Sequence, residues 1–234
     1  MPQNSLVKPA EKAVEYESNG ERVKLSPSMV QKFLVNGNGA VTAQEVVMFL
    51  NLCKYQHLNP FLREAYLIKC GSSPATIVTG KEVFTKRARR NKDYKGFEAG
   101  ILVRTTEGGV EQRTGTFHLP EEALVGGWAK VYIDGYTAPV ESAVSLDEYI
   151  GRKSSGEVNS QWQKKPATMI RKVALVQALR EAFPEDFQGM YSQEELEDAH
   201  DIDLPSDPVP EPQELPVEAV VVEPEAVEYD PFAE

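Results

Sequence analysis

The chain has few cysteines and lacks both a long hydrophobic run and a secretory leader. Cys53 and Cys70 are its only cysteines. Two are too few for a disulfide framework, so we expect a reducing, cytoplasmic environment. No apolar run reaches the length that a membrane helix needs, and no basic segment followed by an apolar one opens the chain. These absences predict a soluble, intracellular protein that has no membrane partner.

Positive charge is absent from the last part of the chain. No lysine or arginine follows Arg180, and residues 181–234 carry 18 acidic residues. Residues 1–180 carry 25 basic and 18 acidic residues, so a body of net charge +7 precedes a tail of net charge −18. A basic body is typical of a nucleic-acid-binding protein, and an acidic tail would compete for the same groove or attract a basic partner.

Motifs for nucleotide or metal chemistry are missing as well. Residues 79–82 (TGKE) resemble the end of a phosphate-binding loop, but Ala75 replaces its first glycine and a glutamate replaces the Ser or Thr that holds Mg²⁺. Cys53, His57 and Cys70 lack the paired spacing of a zinc site. The acidic residues of the body are too scattered to assemble the metal site of a nuclease. We therefore predict no ATP site, no metal site and no catalytic residue, with Mg²⁺ at most modulating the activity.

The chain divides into three parts. We expect a flexible N-terminus (1–25), a folded domain (26–195) and a disordered, acidic, proline-rich tail (196–234). Capping signals and helical periodicity predict four helices, which begin at Ser26, Thr42, Lys81 and Pro166. Apolar segments between turn signals predict five strands, at residues 65–69, 75–79, 101–105, 111–117 and 129–133. The predicted fold class is α+β, an antiparallel sheet with helices packed on one side, followed by the disordered tail.

Basic residues concentrate in two segments of the domain. Residues 81–95 hold seven basic residues against two acids, and residues 152–180 hold seven against one. Aromatic residues lie among them, and proteins combine cations with aromatic rings to bind single strands without reading their sequence. The alternatives are a solvated basic face and, for Phe84 and Phe183, packing in the core. The candidate contacts are Lys81, Lys86, Arg87, Arg89, Arg90, Trp162, Lys164, Lys165, Arg171, Lys172 and Arg180.

Three segments resemble blocks of a known family. Residues 58–66 (LNPFLREAY) are similar to one block, and residues 79–84 (TGKEVF) with 94–97 (YKGF) to the next. Residues 162–183, which contain WQKKP, MIRK and ALREAF, resemble the family's signature. The chain thus resembles the phage single-strand annealing proteins of the Redβ/RecT superfamily. Residues 127–131 (GWAKV) look more like the RecT branch.

The resemblance implies an ATP-independent recombinase of a phage or mobile element, acting in the cytoplasm of a bacterial host. It would bind single-stranded DNA in a cationic groove, as a ring or filament of identical copies, and hold the annealed duplex. A partner exonuclease would expose the strand, and a host single-strand binding protein would be a further partner. Carried over by position, the backbone contacts are Arg63, Lys81, Lys165, Arg171, Lys172 and Arg180.

Two other functions remain open from the sequence. A metal-dependent nuclease of a recombination cassette would shorten DNA when Mg²⁺ is present, and a passive coating protein would bind strands without pairing them. Residues 228–234 (EYDPFAE) also resemble the acidic Asp-Pro-Phe tip of bacterial single-strand binding proteins, although two residues follow Phe232. The alternative for that segment is a solubilising acidic tail.

Overall fold

A computed structural model describes residues 13–153 and 155–196. The predicted disorder of residues 1–12 and 197–234 lies outside these ranges. The strands are β1 (Val14–Ser18), β2 (Glu21–Leu25), β3 (Val35–Gly37), β4 (Ala65–Lys69), β5 (Thr76–Thr79), β6 (Tyr94–Arg104), β7 (Val110–Thr114), β8 (Ala123–Ile133) and β9 (Val140–Ser145). The α-helices are α1 (Pro27–Met29), α2 (Ala43–Tyr55), α3 (Lys81–Ala88), α4 (Leu146–Tyr149), α5 (Ser160–Lys164) and α6 (Pro166–Ala182). Shorter helical turns are the π-helical Val30–Leu34 and the 3-10 turns Pro60–Leu62 and Gln193–Glu195.

The strands form three sheets. β1 and β2 make a hairpin, and β3, β4 and β5 make a second sheet in which β3 runs parallel to β4. The third sheet is antiparallel, with the strand order β7-β6-β8-β9. Antiparallel sheets combined with helices confirm the predicted α+β class. The second and third sheets are separate because the chain leaves β5 into α3 before β6 begins.

Helix α6 packs across the four-stranded sheet, where it contacts β6, β8 and β9. Ile170, Val173 and Leu179 are fully buried on it. Gly127 in β8 permits this close approach, because a Cβ atom there would lie 2.5 Å from the Ile170 carbonyl oxygen. The prediction of a helix beginning at Pro166 is confirmed. The sheet therefore fixes the position of the helix that carries the candidate contacts.

The predicted capping box at the start of α2 is confirmed. Thr42 Oγ1 accepts a hydrogen bond from Glu45 N at 3.2 Å, and Thr42 N donates to Glu45 Oε2 at 2.7 Å. Glu45 Oε1 also accepts from Lys69 Nζ and from Ala75 N, each at 2.7 Å. The bond from Lys69, followed by the backbone donors of Thr42 and Ala75, lowers the pKa of Glu45 to about 2. This carboxylate ties α2 to the second sheet.

Residues 14–25 correct the prediction of a flexible N-terminus, since they form the β1–β2 hairpin. Tyr16 and Ser18 are buried, and their hydroxyls donate to the carbonyl oxygens of Leu58 and His57, each at 2.7 Å. The alternation of buried and exposed residues in this hairpin is hard to recognise in the sequence. Each strand has only five residues, so it offers only two or three inward positions, and charged residues occupy much of the outer face. No helix in the described ranges has both the length and the apolar character needed to cross a membrane.

Candidate nucleic-acid interface

Lys81, Arg171 and Lys172 lie together where the start of α3 meets α6, and we call them the cation cluster. Helices α3 and α6 contact each other. The pKa of Lys81 is lowered, first by burial and then by the charges of Lys172 and Arg171. Cations that repel one another favour the binding of an anion, which relieves the repulsion. Two basic segments that are far apart in sequence thus meet in one place.

The four-stranded sheet orients one member of the cluster. Arg171 is partly buried, and its Nε donates to the carbonyl oxygen of Ala99 in β6 at 3.2 Å. This bond uses Nε, whereas a guanidinium binds phosphate as a fork through two of its N–H groups. Within the described residues, Arg171 thus has a position fixed by the sheet and no carboxylate partner.

A depression beside Lys81 brings two more predicted contacts to this surface. Arg63, Glu64, Lys81 and Lys86 line it. Lys86 Nζ lies 3.6 Å from Glu64 Oε1, and Asn59 N donates to Glu64 Oε2 at 2.9 Å. Arg63 has a left-handed backbone, with φ of 61°, which ends the 3-10 turn before β4. Together with the rest of the cation cluster, five of the predicted contacts occupy one connected surface.

An acidic segment after α6 covers part of this surface, and we call residues 191–196 the strap. Lys172 Nζ lies 2.6 Å from Glu194 Oε1. Glu194 is 2% exposed, and its charge also acts on Lys81, where it opposes the lowering of the pKa. The strap thus supplies negative charge to the cation cluster from within the protein.

The strap contacts a second predicted residue, two turns further along α6. Arg180 donates from Nη1 to Glu195 Oε1, and its guanidinium lies 4.5 Å from the ring centre of Tyr191. Ser192 N donates to Glu195 Oε2 at 2.8 Å. These acids were not predicted to take part in the site, because they stand at the very end of the predicted domain, next to the acidic tail. The Ser-x-x-Glu spacing of Ser192 and Glu195, typical of a helical start, was a signal that could have found them.

Two predicted contacts, one in α3 and one just after it, bind other parts of the protein. Arg87 donates to the carbonyl oxygen of Asp186 at 2.7 Å and also to Gln56. Burial is the main cause that lowers the pKa of Arg87. Arg90 donates to the side chain of Asn19 in the β1–β2 turn. Arg87 is therefore a structural residue that joins α2, α3 and the segment after α6.

Three further predicted contacts are exposed, as Lys81, Lys86 and Arg90 are. Arg89 is at the end of α3, and Lys164 and Lys165 are at the junction of α5 and α6. Lys164 and Lys165 border a shallow depression with Met169. Exposed cations add to the field that attracts a polyanion, although each contributes less than a cation in a cluster.

Three aromatic residues of the basic segments and their flanks belong to the core: Trp162, Phe84 and Phe183. Trp162 is 2% exposed, which corrects the prediction that its ring is available to a base. Phe84 is fully buried and stacks on Phe187 at a centroid distance of 5.4 Å. Phe183 packs edge-on against Tyr94 at 6.2 Å. Core packing, the alternative for Phe84 and Phe183, is confirmed.

Neither cysteine is part of a disulfide. Cys53 is buried and Cys70 is partly buried. Burial is the main cause that raises the pKa of the Cys53 thiol. Over residues 13–153 and 155–196, no group of three or more His, Cys, Asp or Glu side chains is placed to hold a metal ion.

Clustered cations are typical of proteins that bind nucleic-acid backbones. A comparison with family models identifies the family: the model of the RecT family matches residues 23–208, and the chain belongs to this family. The match confirms the resemblance found in the sequence. The RecT family consists of single-strand annealing proteins of DNA recombination.

Among curated proteins, the chain is similar to an uncharacterized protein of Ureaplasma parvum serovar 3. The two are 29% identical over 141 residues, which is 60% of this chain and 55% of the relative. The chain therefore matches about half of that relative's length.

Proposed function

We propose that this protein binds single-stranded DNA and anneals it to a complementary strand, without ATP and without a catalytic residue. Membership of the RecT family supports the proposal. The observation that carries it is the cation cluster, in which burial and the charges of Arg171 and Lys172 lower the pKa of Lys81. A phosphate backbone relieves this repulsion without requiring a particular base. The Arg63 and Lys86 side chains beside the cluster extend the same surface.

Annealing needs no bond-making step from the protein. Two complementary strands pair favourably, but their phosphates repel each other and each strand folds on itself. Cations that neutralise the backbone of the first strand lower both barriers, and bases that face away from the backbone remain free to pair. A ring or filament of identical copies would join the cationic surfaces of neighbouring subunits into one groove.

The cellular setting follows from the same proposal. The protein would act in the cytoplasm of a bacterial host, on strands exposed by a partner exonuclease and in competition with the host single-strand binding protein. Mg²⁺ would at most modulate annealing through the DNA, and no membrane would take part.

The proposal is tested by mixing two complementary oligonucleotides, one of them coated beforehand with the full-length protein, in the absence of nucleotide. Duplex formation is followed by fluorescence transfer between end labels, and strand length is followed on denaturing gels, each with and without Mg²⁺. We expect faster duplex formation than without protein, with strands of unchanged length. A non-complementary partner strand is the control and should give no signal.

Two outcomes would overturn the proposal. Tight binding without faster pairing would identify a coating protein. Shortening of the strands that requires Mg²⁺ would identify a nuclease.

A further inference from the structure

The strap places two carboxylates against two cations of α6, the helix in the segment that resembles the family's signature. Glu194 pairs with Lys172, and Glu195 pairs with Arg180. The two cations lie eight residues apart on α6, which is about 12 Å along the helix axis at 1.5 Å per residue. Both glutamates are almost fully buried, with side-chain exposures of 1% and 6%. The pairs are therefore built into the fold and differ from the transient ion pairs of a solvated surface.

We propose that the strap is an internal competitor for single-stranded DNA: its carboxylates occupy the positions on Lys172 and Arg180 that strand phosphates take, and it lifts when DNA binds. This inference rests on the proposed function and adds its regulation. Carboxylate and phosphate oxygens use the same donors, since Lys and Arg bind both through charge-assisted hydrogen bonds. One set of donors cannot hold both anions at full strength.

The charges around the cluster fit an exchange of anions. Glu194 is the acid of the strap that offsets the repulsion at Lys81, because its charge opposes the effects of Arg171 and Lys172. Removing the strap without a replacement would leave the repulsion between the three cations uncompensated. The strap is therefore favoured when DNA is absent, and a polyanion can take over its role when DNA is present.

The strap meets β5 along a seam whose hydrogen bonding is incomplete. Thr79 N donates to the carbonyl oxygen of Tyr191 at 2.8 Å. Beside this bond, the buried Thr79 hydroxyl has no hydrogen-bond partner within the described part of the chain. A buried hydroxyl without a partner costs free energy, so the closed seam is not fully satisfied. Met190, fully buried just before the strap, is an anchor that limits the movement to the residues after it.

The first test replaces both strap carboxylates by amides, Glu194→Gln with Glu195→Gln, in the full-length chain. Amides keep the shape and part of the hydrogen bonding but remove the negative charge. When the strap is closed in most molecules, the apparent affinity for DNA equals the affinity of the open form multiplied by the fraction of molecules that are open. The variant should be open more often, so we expect it to bind an unstructured oligothymidylate roughly three- to tenfold more tightly. The matched control is Asp147→Asn with Glu148→Gln, an exposed pair in the first turn of α4 that changes the net charge equally.

The salt dependence of binding gives a second readout. In the unaltered protein, DNA binding also releases the strap carboxylates to solvent, where added salt screens their charges, so the weakening of the DNA contacts by salt is partly offset. In the strap variant only the DNA contacts remain, and the affinity should fall more steeply with salt. A strap variant that matches the Asp147→Asn, Glu148→Gln control in both affinity and salt dependence would overturn the inference.

Hydrogen exchange on the unaltered protein tests the inference without relying on a variant that must fold. The amides of Ser192, Glu195 and Leu196 donate within the strap. Saturating oligothymidylate should accelerate exchange in the peptide that covers residues 191–196. Slower or unchanged exchange there would mean that DNA binds with the strap closed, which contradicts the inference.

The two proposals fail separately. If neither the unaltered protein nor the strap variant binds oligothymidylate, the proposed function fails. If the unaltered protein binds and anneals but the strap variant behaves like its control, only the inference about the strap fails.

Discussion

Lys81 is a lysine whose charge is opposed by its surroundings. Its pKa is lowered by burial and by Lys172 and Arg171, while Glu194 only partly compensates. Cations gathered in one place, with a lowered lysine pKa among them, are typical of a site for a polyanion.

Replacing Lys81 by glutamine should therefore leave the protein at least as stable as before. Because the side chain is partly exposed, solvent screens the repulsion, and we expect a gain in unfolding free energy of about 0.5 kcal/mol at most. A lysine whose pKa is lowered in the folded state destabilises that state, and the effect is complete at pH values below the folded-state pKa. The effect is lost as the pH rises through it, so the difference between the two proteins should shrink towards alkaline pH. Urea unfolding of the two proteins, from neutral to alkaline pH, measures this difference in stability. A clear loss of stability in Lys81→Gln would contradict the account.

At this scale the sequence identified the cations but not their partners. Lysine and arginine are visible as residue types, and their density in two segments predicted a basic surface. Their partners depend on contacts between residues 15 and 22 positions apart, such as Arg180 with Glu195 and Lys172 with Glu194. Trp162 was misassigned for a related reason, since its polar sequence neighbours give no indication that α5 turns the ring into the core.

At the scale of elements, α6 was predictable and β6 was less so. The helix has a proline at its start and apolar residues at helical spacing, which are local signals. Strand β6 runs from Tyr94, yet only its second half was predicted. Gly96 and Gly100 interrupt the apolar pattern of its first half. Gly100 is required there because a Cβ atom would lie 1.8 Å from the carbonyl oxygen of Arg113 on β7.

The contact between α6 and β8 gives a prediction for Gly127. A methyl group there would lie 2.5 Å from the carbonyl oxygen of Ile170, so the helix must move away from the sheet. Overpacking of this kind costs about 1–3 kcal/mol, and we expect Gly127→Ala to lower the unfolding free energy by that amount in urea titrations. Gly109→Ala is the control, because its Cβ would meet only Thr105 Oγ1 at an ordinary 3.7 Å. Equal stability of the two variants would show that α6 is not held by this contact.

For the molecule as a whole, the division of charge has a structural counterpart. The net charge of +7 on residues 1–180 includes the cation cluster, and the acidic part of the sequence begins just after Arg180. Two acids of this part, Glu194 and Glu195, pair with cations of α6, which lies within the residues matched by the RecT family model. Composition alone showed that the two parts attract each other, but only the fold shows which residues meet.

The central claim is that the cation cluster binds the strand backbone, and the most direct measurement is the affinity for oligothymidylate as a function of salt. The proteins compared are the unaltered chain, Lys81→Gln and the control Lys32→Gln, an exposed lysine outside the cluster. We predict weaker binding for Lys81→Gln, with the slope of log affinity against log salt shallower by about 0.7–1, the loss of one phosphate contact. Lys32→Gln should behave as the unaltered chain does. Identical affinity and slope for the two variants would contradict the account.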